Sequence, residues 1–189
     1  MIEFIEAFIL LLVIMDPPLS ISVLLSLIKR KKIKNKMQII KKGVMVAAIV
    51  FFVFAIAGDF LLNLMGVNIE TFRAAGGIIL VILGVQMVLG LSFNKIDKAS
   101  DISVIIGTPL ITGPAVIMAT ILLVKGVGLV TTLFAGICAL LVTFVSIVFA
   151  VKINDILGDG GIRMISTMMG IVTIAWGIEF LLTGVIGFL

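Results

Sequence analysis

Long apolar runs, separated by charged or glycine-containing segments, make up most of this chain. A helix that crosses a bilayer needs about 20 consecutive, predominantly apolar residues. The runs are long enough for six such helices, which predicts an all-α integral membrane protein with a single membrane domain. The six predicted spans cover residues 2–28, 43–65, 69–91, 102–124, 128–151 and 163–188.

The composition supports a membrane protein and leaves little room for catalytic chemistry. Of 189 residues, 62% are hydrophobic and 13% are charged, whereas a soluble domain has about 45–50% apolar and about 25% charged residues. Histidine is absent, and Cys138 is the single cysteine, so the usual zinc ligands, the usual general base and any internal disulfide are excluded. We therefore expect no enzyme activity, no metal and no cofactor.

The basic residues are concentrated in one segment. Eight of the 14 lysines and arginines lie between Lys29 and Lys42, and the positive-inside rule places such a run in the cytoplasm. Both termini then face the outside. This interpretation explains the net charge of +4 without a nucleic-acid partner. Contact of the run with anionic lipid head groups is the less favoured alternative. Glu3 and Glu6 occupy the positions where a signal peptide would be positive, so we expect the first span to be retained.

The two halves of the chain resemble each other. A glycine pattern in the third span recurs in the sixth at a constant offset, and Pro17 in the first span matches Pro109 in the fourth. Residues 1–91 and 102–189 are therefore predicted to be two three-helix repeats joined by a linker at 92–101. Because each repeat has an odd number of spans, the second is inverted in the membrane. The matching positions are Gly77, Gly84 and Gln86 in the first half and Gly170, Gly177 and Glu179 in the second.

The four prolines form two clusters inside apolar runs, at 15–22 and 107–114. Proline removes a backbone donor and opens or breaks a helix, and freed carbonyls in a membrane need protein or water as partners. We predict that helices 1 and 4 are broken near the bilayer midplane and that the breaks form a substrate or ion site; the alternative is a pair of simple kinks. The predicted site residues are Asp16, Pro17, Pro18, Ser20, Ser22, Thr108, Pro109, Thr112, Gly113 and Pro114.

Four charged residues also fall within the predicted spans, where an unpaired charge costs at least about 2.5 to 3.5 kcal/mol. Asp59 and Arg73 are equally far from the turn at Gly66, which predicts an ion pair of structural or gating role. Asp16 is expected either to bind a proton, Na⁺ or a substrate ammonium, or to hydrogen-bond amides exposed by the prolines. Glu179 either carries a coupling proton or is an inward-facing, satisfied side chain.

Several of these segments resemble the MarC family of six-span prokaryotic membrane proteins. The segment Pro109-Leu-Ile-Thr-Gly-Pro-Ala-Val-Ile117 is similar to the second signature of the family, and Asp16-Pro17 to the first. The opening of the third span, Phe72-Arg73-Ala-Ala-Gly-Gly77, and the glycines of the sixth are also similar. The resemblance implies a multi-pass protein of the prokaryotic inner membrane, with some relatives linked to transport of small neutral amino acids.

These observations predict a secondary transporter of a small zwitterion, driven by H⁺ or Na⁺, because no nucleotide-binding loop is present. The substrate carboxylate would face a half-helix N-terminus, and its ammonium would face carbonyls or Asp16. The alternative is a membrane scaffold or regulatory subunit without transport activity. An enzyme using Asp16 and Glu179 as acid and base lacks a nucleophile or metal motif. The expected partners are the bilayer and a small solute, with a homo-oligomer left open.

Overall fold

A computed structural model of the chain describes residues 1–31, 36–90 and 112–188. Within these ranges the protein is helical, without strands. The helices are α1 (Ile2–Met15), α2 (Pro17–Lys31), α3 (Lys36–Leu64), α4 (Ile69–Leu89), α5 (Pro114–Val127), α6 (Leu129–Val148) and α7 (Ala150–Phe188).

The apolar helices are long enough for a membrane protein. Five stretches of the described ranges meet the length and hydropathy needed to cross a bilayer, and α5 is a shorter apolar helix. Residues 102–111 of the predicted fourth span lie outside the described residues. The prediction of an all-α chain with several membrane-compatible helices is therefore confirmed. The five stretches are Ile2–Leu25, Lys36–Leu64, Ile69–Leu89, Leu129–Val148 and Ala150–Gly187.

The distribution of side-chain size is that of a protein surrounded by lipid. Along α3, large apolar side chains such as Ile56 and Phe60 are exposed, at 67% and 66%. The buried face of the same helix includes Gly43, Ala47 and Ala55. A water-soluble helix would show polar residues on its exposed face, whereas membrane helices turn small residues toward one another and bulky apolar ones toward lipid.

The first apolar stretch lies at the centre of the helix bundle. In α1, Ala7, Leu11 and Met15 have no exposed surface, and this helix packs against α5 and α6. Its continuation, α2, packs against α6 and α7. Residues of the first stretch are consequently surrounded by helices from the second half of the chain, which is where polar groups on α2 find their neighbours.

The helices α4 and α7 make the most extensive packing in the described protein. A Cβ atom added to Gly177 would lie 2.8 Å from the Gly77 carbonyl oxygen, and one added to Gly170 would lie 2.9 Å from the Gly84 carbonyl oxygen. Position 77 therefore meets 177 while 84 meets 170, so the two helices run antiparallel. Only glycine allows the backbones to approach this closely.

The last helix begins earlier than the predicted sixth span. Residues 150–157 are helical, and Gly158, with φ 66°, interrupts α7 before the helix resumes. Lys152, Asp155 and Asp159 are exposed, and this charge makes the segment resemble a loop in sequence. Ala150 is nevertheless buried, so the segment is a short amphipathic helix that bends at a glycine in the left-handed region.

Candidate functional site

The junction between α1 and α2 is formed by Asp16. Its φ of 42° lies in the left-handed region, and its side chain caps the N-terminus of α2, since Oδ1 accepts a hydrogen bond from the Leu19 amide at 3.1 Å. Pro17 and Pro18 have no amide hydrogen to satisfy, and the Ser20 amide donates to the Asp16 carbonyl at 3.1 Å. The start of α2 therefore has no free first-turn amide.

The second oxygen of the same carboxylate binds the other half of the protein. Asp16 Oδ2 accepts a hydrogen bond from Ser166 Oγ on α7 at 2.9 Å. Asp16 is 3% exposed and Ser166 is 8% exposed, and neither described ion pair includes Asp16. A buried carboxylate whose described partners are both neutral donors is a place where a proton or a monovalent cation can bind.

A polar cavity of about 290 Å³ adjoins this hydrogen bond. It lies between α2, α4 and α7, and Ser166 is part of its wall. The other polar side chains in the wall are Ser22, Gln86, Asp159 and Arg163. The apolar and glycine residues that complete the lining are Leu19, Leu25, Leu83, Met87, Gly90 and Ile162.

Arg163 connects this cavity to the end of α4. Its Nη2 donates to the Leu89 carbonyl oxygen at 3.4 Å, one of the carbonyls that a helix C-terminus leaves without an intrahelical partner. Gly90, with φ 65°, ends the helix beside it. A cation at a helix C-terminus is favourable, and a guanidinium group has further N–H donors that can bind a carboxylate in the cavity.

The predicted residues of the second cluster lie elsewhere. Thr112 is buried, and its hydroxyl donates to the Ala47 carbonyl oxygen of α3 at 3.0 Å. Gly113 is the N-cap of α5, where no side chain caps the helix, and Pro114 is its first residue. These three residues do not line the cavity beside Asp16. Thr108 and Pro109 lie outside the described residues.

Two hydroxyls of the first cluster differ in their surroundings. Ser20 is 2% exposed, and its Oγ has no hydrogen-bond partner among the described residues. Ser22 lines the cavity. Of the residues predicted from the first proline cluster, Ser22 is thus in the cavity wall, and Asp16 reaches that wall through Ser166.

The predicted ion pair between Asp59 and Arg73 is not formed. Asp59 Oδ1 instead lies 2.7 Å from Lys125 Nζ of α5, and Arg73 Nη1 lies 3.5 Å from Glu70 Oε2 one turn earlier in α4. The prediction assumed an antiparallel hairpin of α3 and α4. In the structure α3 packs mainly on α5 and α6, while α4 packs on α7 and α5, so equal depth did not bring the two side chains together.

We expect the Asp59–Lys125 pair to contribute little to stability. Asp59 lies five residues before the end of α3 and Lys125 two residues before the end of α5, so both side chains can reach the membrane–water interface. Both are 42% exposed, and water-exposed ion pairs contribute about 0–1 kcal/mol. Asp59→Asn and Lys125→Gln should each change the free energy of unfolding by less than about 1 kcal/mol, measured by denaturant titration of purified protein in detergent. Lys152→Gln, at an exposed position without a described ion pair, is the control. A loss of about 3 kcal/mol would instead indicate a desolvated pair.

Glu179 lines a separate cavity of about 420 Å³ at the other end of α1. Glu3 and Glu6 are also in its wall, together with Trp176 and Phe180. Glu179 itself is exposed and does not line the cavity beside Asp16. The structure therefore separates the two carboxylates that had been considered as an acid and base pair.

Ser166, Asp159 and Arg163 were not predicted as site residues. All three lie on α7 near its bend at Gly158. Ser166 bonds to a residue 150 positions earlier in the chain, and no local motif indicates such a contact. The signal in the sequence was weaker than that of the proline clusters. It consisted of Asp159 and Arg163, four residues apart, followed three residues later by Ser166 at the start of an apolar run.

The fold and the site define a polytopic α-helical membrane protein with a buried carboxylate beside a polar cavity. The chain matches the family model described as MarC family integral membrane protein over residues 1–189. The protein thus belongs to the MarC family, which confirms the resemblance seen in the sequence.

Relatives of this chain occur in archaea and bacteria. A UPF0056 membrane protein of Methanocaldococcus jannaschii is 28% identical over 97% of this chain and 96% of its own length. A UPF0056 membrane protein of Aquifex aeolicus is 28% identical over 96% and 91%. One from Buchnera aphidicola subsp. Baizongia pistaciae is 35% identical over 72% and 71%. No solved structure matches the chain.

Proposed function

We propose that this protein is a secondary transporter of a small zwitterionic solute, such as glycine or alanine, coupled to H⁺ or Na⁺. The observation that carries the proposal is the polar cavity beside the buried carboxylate of Asp16 at the junction of α1 and α2. In membrane proteins, intramembrane carboxylates that face a cavity commonly mark ion or substrate paths. Discontinuous helices that meet at such a site are common in secondary transporters.

The cavity has the size and charges for a small amino acid. Its volume of about 290 Å³ lies just below the range for drug-sized ligands, about 300–1,000 Å³, as suits a smaller solute. Arg163 and Asp159 are the charged residues of its wall. Arg163 would bind the substrate carboxylate. The N-terminus of α2 is not available for it, because the Leu19 amide already donates a hydrogen bond to Asp16. Asp159, the acidic residue of the wall, would face the ammonium group.

The packing of the helices supports an inverted repeat. The helix α2 of the first half packs on α6 and α7, and α5 of the second half packs on α3 and α4. In the proposed repeat α2 is equivalent to α5, α3 to α6 and α4 to α7, so the two sets of contacts correspond. The crossing of α4 and α7 follows the same relation. In the proposed repeat Gly77 is equivalent to Gly170, and Gly177 is equivalent to Gly84. The repeat therefore relates the Gly77–Gly177 contact to the Gly170–Gly84 contact. An antiparallel crossing of this kind has its two-fold axis in the membrane plane.

The roles of the residues follow from these positions. Asp16 holds the coupling ion, because its carboxylate is buried and its described partners are neutral. Ser166 links that carboxylate to the cavity wall. Binding of a cation at Asp16 would redirect its hydrogen bond with Ser166 and so couple α7 to the ion. In the orientation predicted by the basic run, the cavity lies toward the cytoplasmic end of α4.

The proposal is tested by uptake of labelled glycine and alanine into proteoliposomes under an imposed H⁺ or Na⁺ gradient. Gln86→Leu, which removes a polar group from the cavity wall, should reduce uptake by about tenfold or more. Val85→Leu introduces the same side chain at the adjacent, exposed position of α4 and should leave uptake unchanged. Absence of gradient-driven uptake across an amino acid panel, with a partner protein co-purifying in equal amount, would favour the scaffold alternative.

A further inference from the structure

An apolar groove runs along the outer surface between α3 and α6 and holds about 520 Å³. We call it the α3–α6 groove. Its wall includes one charged residue, Lys41, and is otherwise apolar. The lining residues are Lys41, Val44, Met45, Ala48 and Phe52 of α3 with Ile137, Leu140, Leu141 and Phe144 of α6.

The groove has the length of one lipid leaflet. Lys41 and Phe52 mark the ends of its α3 wall, and eleven steps of 1.5 Å along a helix span about 16 Å. The hydrocarbon core of a bilayer is about 30 Å thick, so one leaflet contributes about half of that distance. A single charged residue at one end of an apolar channel of this length matches the layout of a lipid, with a polar head above an acyl chain.

The charge around the groove favours an anionic head group. Lys36, Lys41 and Lys42 are exposed at the start of α3, and no acidic residue occurs in α3 before Asp59. Basic residues at the membrane surface attract anionic lipids, at about 1 kcal/mol per Lys or Arg. The opening of the α3–α6 groove at Lys41 therefore lies in a locally positive region.

The walls of the groove are unsuited to close packing of another helix. Helix association in membranes uses small residues that let backbones approach. The α3–α6 groove is instead bordered by large exposed side chains, with Met45 at 62% and Leu141 at 57% exposure. A flexible acyl chain can fill the concave space between these side chains.

We propose that the α3–α6 groove binds one acyl chain of an anionic glycerophospholipid, whose phosphate pairs with Lys41. This inference does not depend on transport. The proposed lipid site is separate from the polar cavity beside Asp16. The groove is apolar where the cavity is polar, and its walls come from α3 and α6 rather than from α2, α4 and α7.

The site can be tested by tryptophan fluorescence quenching. In a Trp176→Phe background, which removes the single native tryptophan, Phe144→Trp places a reporter in the groove. The protein is reconstituted into vesicles in which dibrominated phosphatidylglycerol or dibrominated phosphatidylcholine replaces the same unbrominated lipid. We expect phosphatidylglycerol to bind about fivefold more tightly than phosphatidylcholine at this reporter. Phe149→Trp, exposed at the end of α6, should show no preference.

The charge contribution is tested in the same reporter protein. Lys41→Gln should abolish the preference for phosphatidylglycerol, while Lys152→Gln, which removes the same charge from an exposed position outside the groove, should retain it. Equal binding of both lipids at Phe144→Trp, or equal effects of the two lysine substitutions, would overturn the proposal. Complete protection of Phe144→Trp from both brominated lipids, with Phe149→Trp still quenched, would also overturn it and indicate a second copy in the groove.

Discussion

Replacing Gly77 by alanine should force α4 and α7 apart and lower the free energy of unfolding by about 3 kcal/mol. A Cβ atom at this position would collide with the Gly177 carbonyl oxygen and with the Leu181 backbone. Backbone atoms cannot rotate away as the end of a side chain can, so the whole crossing must shift. This crossing is the most extensive in the described protein, so the effect is expected to be among the largest of any single methyl addition.

The matched control is Gly126→Ala in α5. A Cβ atom there would meet no atom within 4 Å, and alanine favours a helix over glycine by about 0.5–1 kcal/mol. The same chemical change should therefore leave stability unchanged or raise it. Both variants are measured by denaturant unfolding in one detergent, with helix content followed by circular dichroism. Equal stability of the two variants would contradict the close glycine crossing.

Helix positions were largely predictable because each membrane helix satisfies its own backbone hydrogen bonds. An apolar run long enough to cross the bilayer has few alternatives to a helix, and α4 and α6 accordingly begin and end within a few residues of the predicted spans. The start of α7 was not predicted. Its first residues carry exposed charges such as Lys152 and Asp155, and in sequence an amphipathic helix at the membrane surface resembles a charged loop.

Lateral neighbours were much harder to predict than depth. Hydropathy fixes how deep a residue lies, but it does not indicate which helix stands beside it. Asp59 and Arg73 were placed at equal depth on consecutive helices, yet the structure pairs Asp59 with Lys125. The glycine pattern was more informative, because glycines on one helix face let another backbone approach closely, and Gly77 and Gly177 lie against each other.

Only part of the candidate site could be predicted from the sequence. The adjacent prolines after Asp16 predicted a helix break, and on that ground Asp16 and Ser22 were predicted as site residues. The rest of the site comes from α7, where Ser166, Arg163 and Asp159 show no comparable local pattern. Their role follows only from the packing of α2 against α7, which joins the two halves of the chain.

Asp16→Ala and Asp16→Asn should separate the structural role of this residue from its proposed role in coupling. Alanine removes the cap of α2, which costs about 0.5–2 kcal/mol, and leaves the buried Ser166 hydroxyl without its acceptor, which costs about 1–3 kcal/mol. Alanine also adopts the left-handed backbone conformation at φ 42° less readily than aspartate does. We expect Asp16→Ala to lower the free energy of unfolding by about 3 kcal/mol.

Asparagine retains most of these interactions without the charge. Its amide oxygen can accept the Leu19 hydrogen bond, its amide nitrogen can donate to Ser166, and asparagine tolerates the left-handed region well. Asp16→Asn should therefore stay within about 1 kcal/mol of the parent protein in stability. In proteoliposomes it should still exchange labelled glycine across the membrane at equilibrium but fail to accumulate glycine when a gradient is imposed, because no carboxylate remains to bind the coupling ion.

The two measurements distinguish three outcomes for Asp16. Loss of accumulation with exchange and stability retained supports a coupling carboxylate. Instability of Asp16→Asn equal to that of Asp16→Ala would mean that the charge itself holds α2 against α7 through Leu19 and Ser166. Accumulation that persists in a stable Asp16→Asn protein would remove Asp16 from the coupling mechanism, and the ion would then have to bind elsewhere along the path.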